Sequence, residues 1–215
     1  MLLELFKFLA KEIHGFNVFN YITLRAVMAT ITSLVISFAF GPWLIKKLNK
    51  YNIGQAVRLD GPKDHLIKTG TPTMGGGLIL VSIIVSTLLW ADIRNNYIWV
   101  LLIVTLGFGL IGFVDDLKKV IYKDPNGISA GQKYLWQSII GLSASIYLWS
   151  NAVTPEQTSL ILPFFKNVSF SMNGLTFILL SYIVIVGSSN AVNLTDGLDG
   201  LAIMPAVMVA SALGV

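Results

Sequence analysis

Charged residues in this chain are gathered into a few short stretches separated by long intervals without any. Uncharged runs cover residues 26–45, 69–91, 95–114, 134–155 and 167–195, and another begins at Gly200 and reaches Val215. About 20 apolar residues cross the hydrocarbon core of a bilayer as a helix, where the backbone must satisfy its own hydrogen bonds. The five complete runs therefore predict transmembrane helices near 22–45, 73–91, 96–115, 132–150 and 174–191, with the start of a sixth at 200–215. Ahead of them, "MLLELFKFLAKEIHGF" places Leu2, Leu5, Phe6 and Leu9 at helical spacing. That pattern predicts an amphipathic helix over 1–16 lying in the membrane interface. Glu4, Glu12 and the lack of a small-residue cleavage site argue against a cleaved signal. The last run has no charged flank, so the natural chain is expected to continue past Val215.

Composition agrees with this pattern. The chain is 54% hydrophobic and 12% charged, against roughly a quarter charged in soluble domains. Having no cysteine, it excludes disulfides and thiolate metal sites. The expected fold is an all-α integral membrane protein, a polytopic helix bundle forming one membrane domain over 1–215. A short extracytoplasmic β-hairpin is expected near 160–173, where "NVSFSMNG" alternates after Pro155 and Pro163.

Net charge is +4, but its distribution matters more. Ten of the fifteen cations fall in two loops: Lys46, Lys47, Lys50, Arg58, Lys63 and Lys68 in one, Lys118, Lys119, Lys123 and Lys133 in the other. Basic loops stay cytoplasmic, which puts the N-terminus outside. Parity of crossing then puts the loop after the fifth helix, "NAVNLTDGLDG", on the cytoplasmic side as well.

Three polar clusters thus share one face. In "GFVDDLKK", Asp115 and Asp116 stand where the third helix is expected to close. A solvated helix end would account for them, but the lysines that follow suffice as a stop signal. Adjacent carboxylates repel or share a cation, and Mg²⁺ often bridges carboxylate and phosphate. In "NAVNLTDGLDG", Asn190, Asn193, Asp196 and Asp199 recur every three residues, with Gly197 and Gly200 free to turn or to approach a ligand closely. Helix capping explains one or two of these polar residues, hardly four. In "HLIKTGTPTMGGG", Gly75, Gly76 and Gly77 open a helix whose N-terminus favours anions, and Lys68 adds a point charge. Small residues also serve helix packing in lipid, so the glycines are weak evidence alone. Lys133, one turn before Gln137, reads by default as a snorkelling lysine. Together these residues suit a soluble phosphorylated substrate and a membrane-embedded acceptor, because phosphoryl chemistry rests on positioning and charge neutralisation.

The colinear motifs "GTPTMGG", "GFVDD" and "NAVNLTDGLDG" closely resemble the phospho-N-acetylmuramoyl-pentapeptide transferases. These belong to the polyprenyl-phosphate N-acetylhexosamine-1-phosphate transferase superfamily. The resemblance implies a ten-helix bacterial inner-membrane enzyme of peptidoglycan synthesis. It would move phospho-MurNAc-pentapeptide from UDP-MurNAc-pentapeptide to undecaprenyl phosphate, giving lipid I and UMP, with Mg²⁺ required and a homodimer as the assembly. Carried over by motif, Asp115 and Asp116 match the catalytic carboxylates, as base or as covalent nucleophile, and Lys133 the active-site lysine. Lys68, Thr73, Asn193, Asp196 and Asp199 match positions lining the nucleotide–sugar site. Asn193 is a candidate metal ligand. The resemblance puts the main Mg²⁺ ligand, a third aspartate, and a histidine-rich loop beyond Val215, so these 215 residues are expected to hold about half of the active site.

Other readings compete. A sibling enzyme would load GlcNAc-1-phosphate onto the same lipid. A transporter would use intramembrane carboxylates to couple ions, though near the midplane and often on inverted repeats, whereas here they stand at one edge and no repeat is visible. A non-catalytic membrane fragment is the third.

Overall fold

The computed structural model describes residues 1–50, 74–122, 127–162, 169–196 and 201–214. Among them are seven α-helices: α1 (Leu2–Leu9), α2 (Ile22–Lys50), α3 (Gly76–Trp90), α4 (Asn96–Tyr122), α5 (Ala130–Ser150), α6 (Gly174–Thr195) and α7 (Ile203–Gly214). Two three-residue strands, β1 (Ser159–Ile161) and β2 (Ser169–Ser171), pair antiparallel with Leu160 opposite Phe170. The protein is an all-α polytopic membrane protein carrying one small hairpin at the position expected from the alternating "NVSFSMNG". Of the described helices, α2, α4 and α6 are long and apolar enough to cross a membrane by themselves. At 15 residues, α3 spans only about 22 Å at 1.5 Å per residue. Its expected start at Thr73 gives way to one at Gly76, because Met74 holds a left-handed φ of +71° that a right-handed helix cannot include.

The chain divides into two compact units, Met1–Lys133 and Tyr134–Val215. In the first, α2 and α3 lie side by side. Ser37 Oγ donates to Ser82 Oγ at 3.2 Å and Trp90 Nε1 donates to Thr32 Oγ1 at 2.9 Å. Where water is absent, such polar contacts and close small-residue packing hold helices together better than apolarity, which lipid matches. Leu80 of α3 reaches so close to Gly109 of α4 that a Cβ there would stand 2.9 Å from Leu80 Cδ2.

The amphipathic helix expected over 1–16 stops at Leu9, and the chain doubles back through a 3₁₀ turn over His14–Asn20. An aromatic cluster accounts for the reversal: Phe6 stacks on Phe19 with centroids 4.0 Å apart, and both rings lie about 6 Å from Trp90. The amino terminus donates to the Leu88 carbonyl at 3.1 Å, and Glu4 pairs with Arg94 at 2.7 Å. Packing on the end of α3 thus engages Phe6, and Leu3 is buried, while Leu5 stays exposed.

In the second unit, Asn173 caps α6 by accepting from the Thr176 N–H at 2.9 Å. α5 and α6 meet at Gly141, where an added Cβ would stand 2.9 Å from Val186. Ser138 and the linked hydroxyls of Tyr182 and Tyr134 extend the contact.

Candidate functional site

α4 does not close at Asp115 and Asp116. It runs on through both lysines to Tyr122, because Lys118 and Lys119 are good helix formers. Asp115 stands about 28 Å along a helix rising 1.5 Å per residue, close to the roughly 30 Å thickness of a bilayer core. An α4 that begins at one membrane boundary therefore delivers its carboxylates to the other.

Helical continuation also splits the pair. Asp115 and Lys119 are one turn apart, in the favourable order for an i,i+4 ion pair, and Asp115 Oδ2 lies 2.7 Å from Lys119 Nζ. The other oxygen, Oδ1, accepts the Ile128 N–H at 2.7 Å. Gly127 makes this approach available. Its φ of +64° is left-handed, and an added Cβ would run into Asp115 Oδ1 and stand 2.8 Å from Lys119 Cε. Both Asp115 oxygens are thus engaged, and its side chain is only 11% exposed. This clasp ties the end of α4 to the segment entering α5, where Gln132 N–H reaches Ser129 Oγ at 3.4 Å. Lys133 follows at once, and its charge acts on both carboxylates.

Asp116 is placed differently. Its side chain is 43% exposed and only loosely neutralised, with Oδ1 3.8 Å from Lys119 Nζ. It lines a cleft of about 330 Å³ between α3 and α4, walled by Met74, Gly76, Gly77, Gly109, Gly112 and Phe113. Four glycines keep the wall thin and bring backbone to the surface of the cleft. Met74, entering α3, holds a left-handed φ of +71°, uncommon outside glycine and typical of strain kept at functional sites. The first unit therefore brings Asp115, Asp116 and Lys133 together, with one carboxylate pinned and one open.

In the second unit the polar series of "NAVNLTDGLDG" separates into two roles. Asn190 points inward: its amide donates to Gln137 Oε1 and to the Val186 carbonyl, both at 2.8 Å, and Gln137 is 3% exposed. Asn190→Leu should cost about 1–2 kcal/mol, since it strands a buried amide between helices. Thermal melting in detergent checks this, and adding Gln137→Leu should restore part of the loss. Asn193 and Asp196, by contrast, are exposed. Asp196 ends α6, its N–H bonded to the Val192 carbonyl at 3.1 Å. A carboxylate at a helix C-terminus opposes the macrodipole, so capping does not explain it. Lys68, Thr73 and Asp199 lie outside the described residues.

Sequence reasoning missed Lys119 and Gly127 as parts of the site. The signals were present in the i,i+4 Asp–Lys spacing and in the Pro125-Asn126-Gly127 turn sequence. Among the described residues no three His, Cys, Asp or Glu side chains converge as a metal cage. Mg²⁺ is commonly held by one or two carboxylates together with substrate phosphates, and Asp116 is the carboxylate whose oxygens are open.

Residues 98–215, just over half of the chain, match the family model described as Glycosyl transferase family 4. The match includes α4 from Ile98 onward, with both carboxylates, and all of α5, α6 and α7.

Proposed function

The chain belongs to glycosyl transferase family 4, and from that premise we propose that it transfers a sugar-1-phosphate from a nucleotide sugar to a polyprenyl phosphate in the bilayer. The observation that carries this reading is the unequal pair at the end of α4: Asp115 held by Lys119 and Ile128, Asp116 open to a glycine-walled cleft. Phosphoryl transfer asks a protein for positioning and charge neutralisation. Asp116 would accept the proton of the lipid phosphate as its oxygen attacks the sugar-linked phosphorus, and the bond to the departing nucleoside monophosphate breaks. Lys133 would neutralise the diphosphate. Asn193, Asp196, Lys68, Thr73 and Asp199 are assigned to the nucleotide–sugar site.

Mg²⁺ would supply charge neutralisation on the diphosphate; in the first unit the Asp116 carboxylate is the suited donor, and Asn193 is a candidate ligand from the resemblance alone. The motifs "TPTMGGG" and "NLTDGLDG" favour UDP-MurNAc-pentapeptide as donor and undecaprenyl phosphate as acceptor, yielding lipid I and UMP on the cytoplasmic face of a bacterial inner membrane.

UMP release by the purified chain, in detergent with undecaprenyl phosphate and Mg²⁺, tests the proposal. Release should require the lipid, stop on chelation of the metal, and occur with UDP-MurNAc-pentapeptide but not with UDP-GlcNAc. Release with UDP-GlcNAc alone would move the assignment to the sibling transferase. Release without lipid phosphate would overturn it; none from folded protein would mean that these 215 residues do not hold the complete site, as the resemblance implies.

A further inference from the structure

A second cavity, of about 370 Å³, lies at the other end of α3, between the start of α2 and the start of α4. The length of α3 separates it from Asp116, about 20 Å at 1.5 Å per residue. Its walls are apolar: Ile22, Ala26 and Ala29 on α2, Trp90 at the end of α3, Ile98 on α4. Trp90 is fixed in place by its bond to Thr32 and by the rings of Phe6 and Phe19. The cavity is thus a built feature rather than a gap between loose side chains.

Four polar residues line it, Thr87 on α3 and three others. Arg25 comes from the first turn of α2, and Asp92 and Asn95 from the turn between α3 and α4. Arg25 Nε is buried and has no hydrogen-bond partner, although buried polar groups are almost always satisfied. Among the described residues Asp92 Oδ1 accepts only the Arg94 N–H, at 3.2 Å, and no ion pair joins it to Arg25. Among the described residues, a guanidinium Nε lacking an acceptor and a carboxylate lacking a cation therefore line one cavity. Charges at such depth sit at a membrane boundary, the level of lipid headgroups.

We propose that this cavity binds a zwitterionic phospholipid with a primary-amine headgroup, its phosphate on Arg25 and its ammonium on Asp92 and Asn95, with acyl carbons along Ile22, Ala26 and Trp90. Arginine matches phosphate oxygens in a planar fork. A headgroup with the phosphate but no amine would satisfy Arg25 and leave Asp92 without a cation. The choice of an amino headgroup rests on that carboxylate.

Native mass spectrometry of the full chain released from detergent tests this, with added phosphatidylethanolamine, phosphatidylglycerol or inorganic phosphate. The expected result is a one-to-one adduct with phosphatidylethanolamine, retained at least fivefold more than with phosphatidylglycerol and absent with inorganic phosphate. Arg25→Gln should remove it and Arg25→Lys restore part of it. Asp92→Asn should erase the preference between the two lipids while keeping some binding. Equal adducts in wild type and a folded Arg25→Gln protein would overturn the proposal, as would a wild-type preference for phosphatidylglycerol. Should Arg25→Gln not fold, the Asp92→Asn preference decides, and an unchanged preference there counts against it.

Discussion

Asp116→Asn is expected to slow UMP release by about 10²–10⁴-fold, the range attached to a lost general base, with the melting temperature unchanged. The asparagine keeps the shape of the side chain, and the one ion pair described for Asp116 is with Lys119 at 3.8 Å, too loose to hold the fold together. Asp115→Asn should behave in the opposite manner. It takes away the charge that holds Lys119 and weakens the acceptor of the Ile128 N–H. Hydrogen bonds to charged groups are worth about 1.5–3 kcal/mol, so stability should fall by that order. Its effect on rate should be smaller than that of Asp116→Asn and should come through a displaced Lys133. Measuring both variants for melting and for turnover separates the roles. An Asp115→Asn protein that melts normally and is inactive, beside an active Asp116→Asn protein, would hand the base to Asp115.

That division of labour could not be read from "GFVDD". The sequence marks two carboxylates at the end of an apolar run, and the structure places them on one helix as the run implies. What separates them is a contact with Ile128, beyond the end of α4, and a helix that continues far enough to bring Lys119 beneath Asp115. Runs without charge point to membrane helices, three of which, α2, α4 and α6, are long and apolar enough to cross a membrane, because the bilayer penalises charge one residue at a time, a local rule. The hairpin was legible for the same reason, alternation being a property of neighbouring positions. By contrast, Asn190 finds Gln137 across 53 residues, and α1 finds Trp90 through an aromatic cluster. No periodicity encodes either partner. The expected interfacial helix over 1–16 was cut short by that same cluster, a tertiary preference overriding a helical pattern. Asn190 looked like a member of the polar ligand series, yet its inward position on α6 gives it a packing role and leaves Asn193 and Asp196 as the described candidates for ligand contact.

Gly127→Ala should be the most damaging change outside the carboxylates, with a loss of about 2–4 kcal/mol and a 10- to 100-fold lower rate. Two costs combine. A left-handed backbone costs a non-glycine residue about 1–2 kcal/mol, and Gly127 holds φ +64°. The new Cβ would also meet Asp115 Oδ1 and Lys119 Cε, so the carboxylate must leave the Ile128 N–H or the loop must move. Either response opens the clasp and shifts Lys133, which is why rate should fall together with stability. Contacting residues couple by about 0.5–3 kcal/mol in double-mutant cycles, and the cycle here has a definite expected sign. With Asp115→Asn already present, the clasp is weakened and its loss is counted once, so adding Gly127→Ala should cost little more than the backbone conformation. Urea or thermal melts of the four proteins measure this directly. Strictly additive losses would mean that Gly127 and Asp115 act independently, and the clasp would then be a contact without a role.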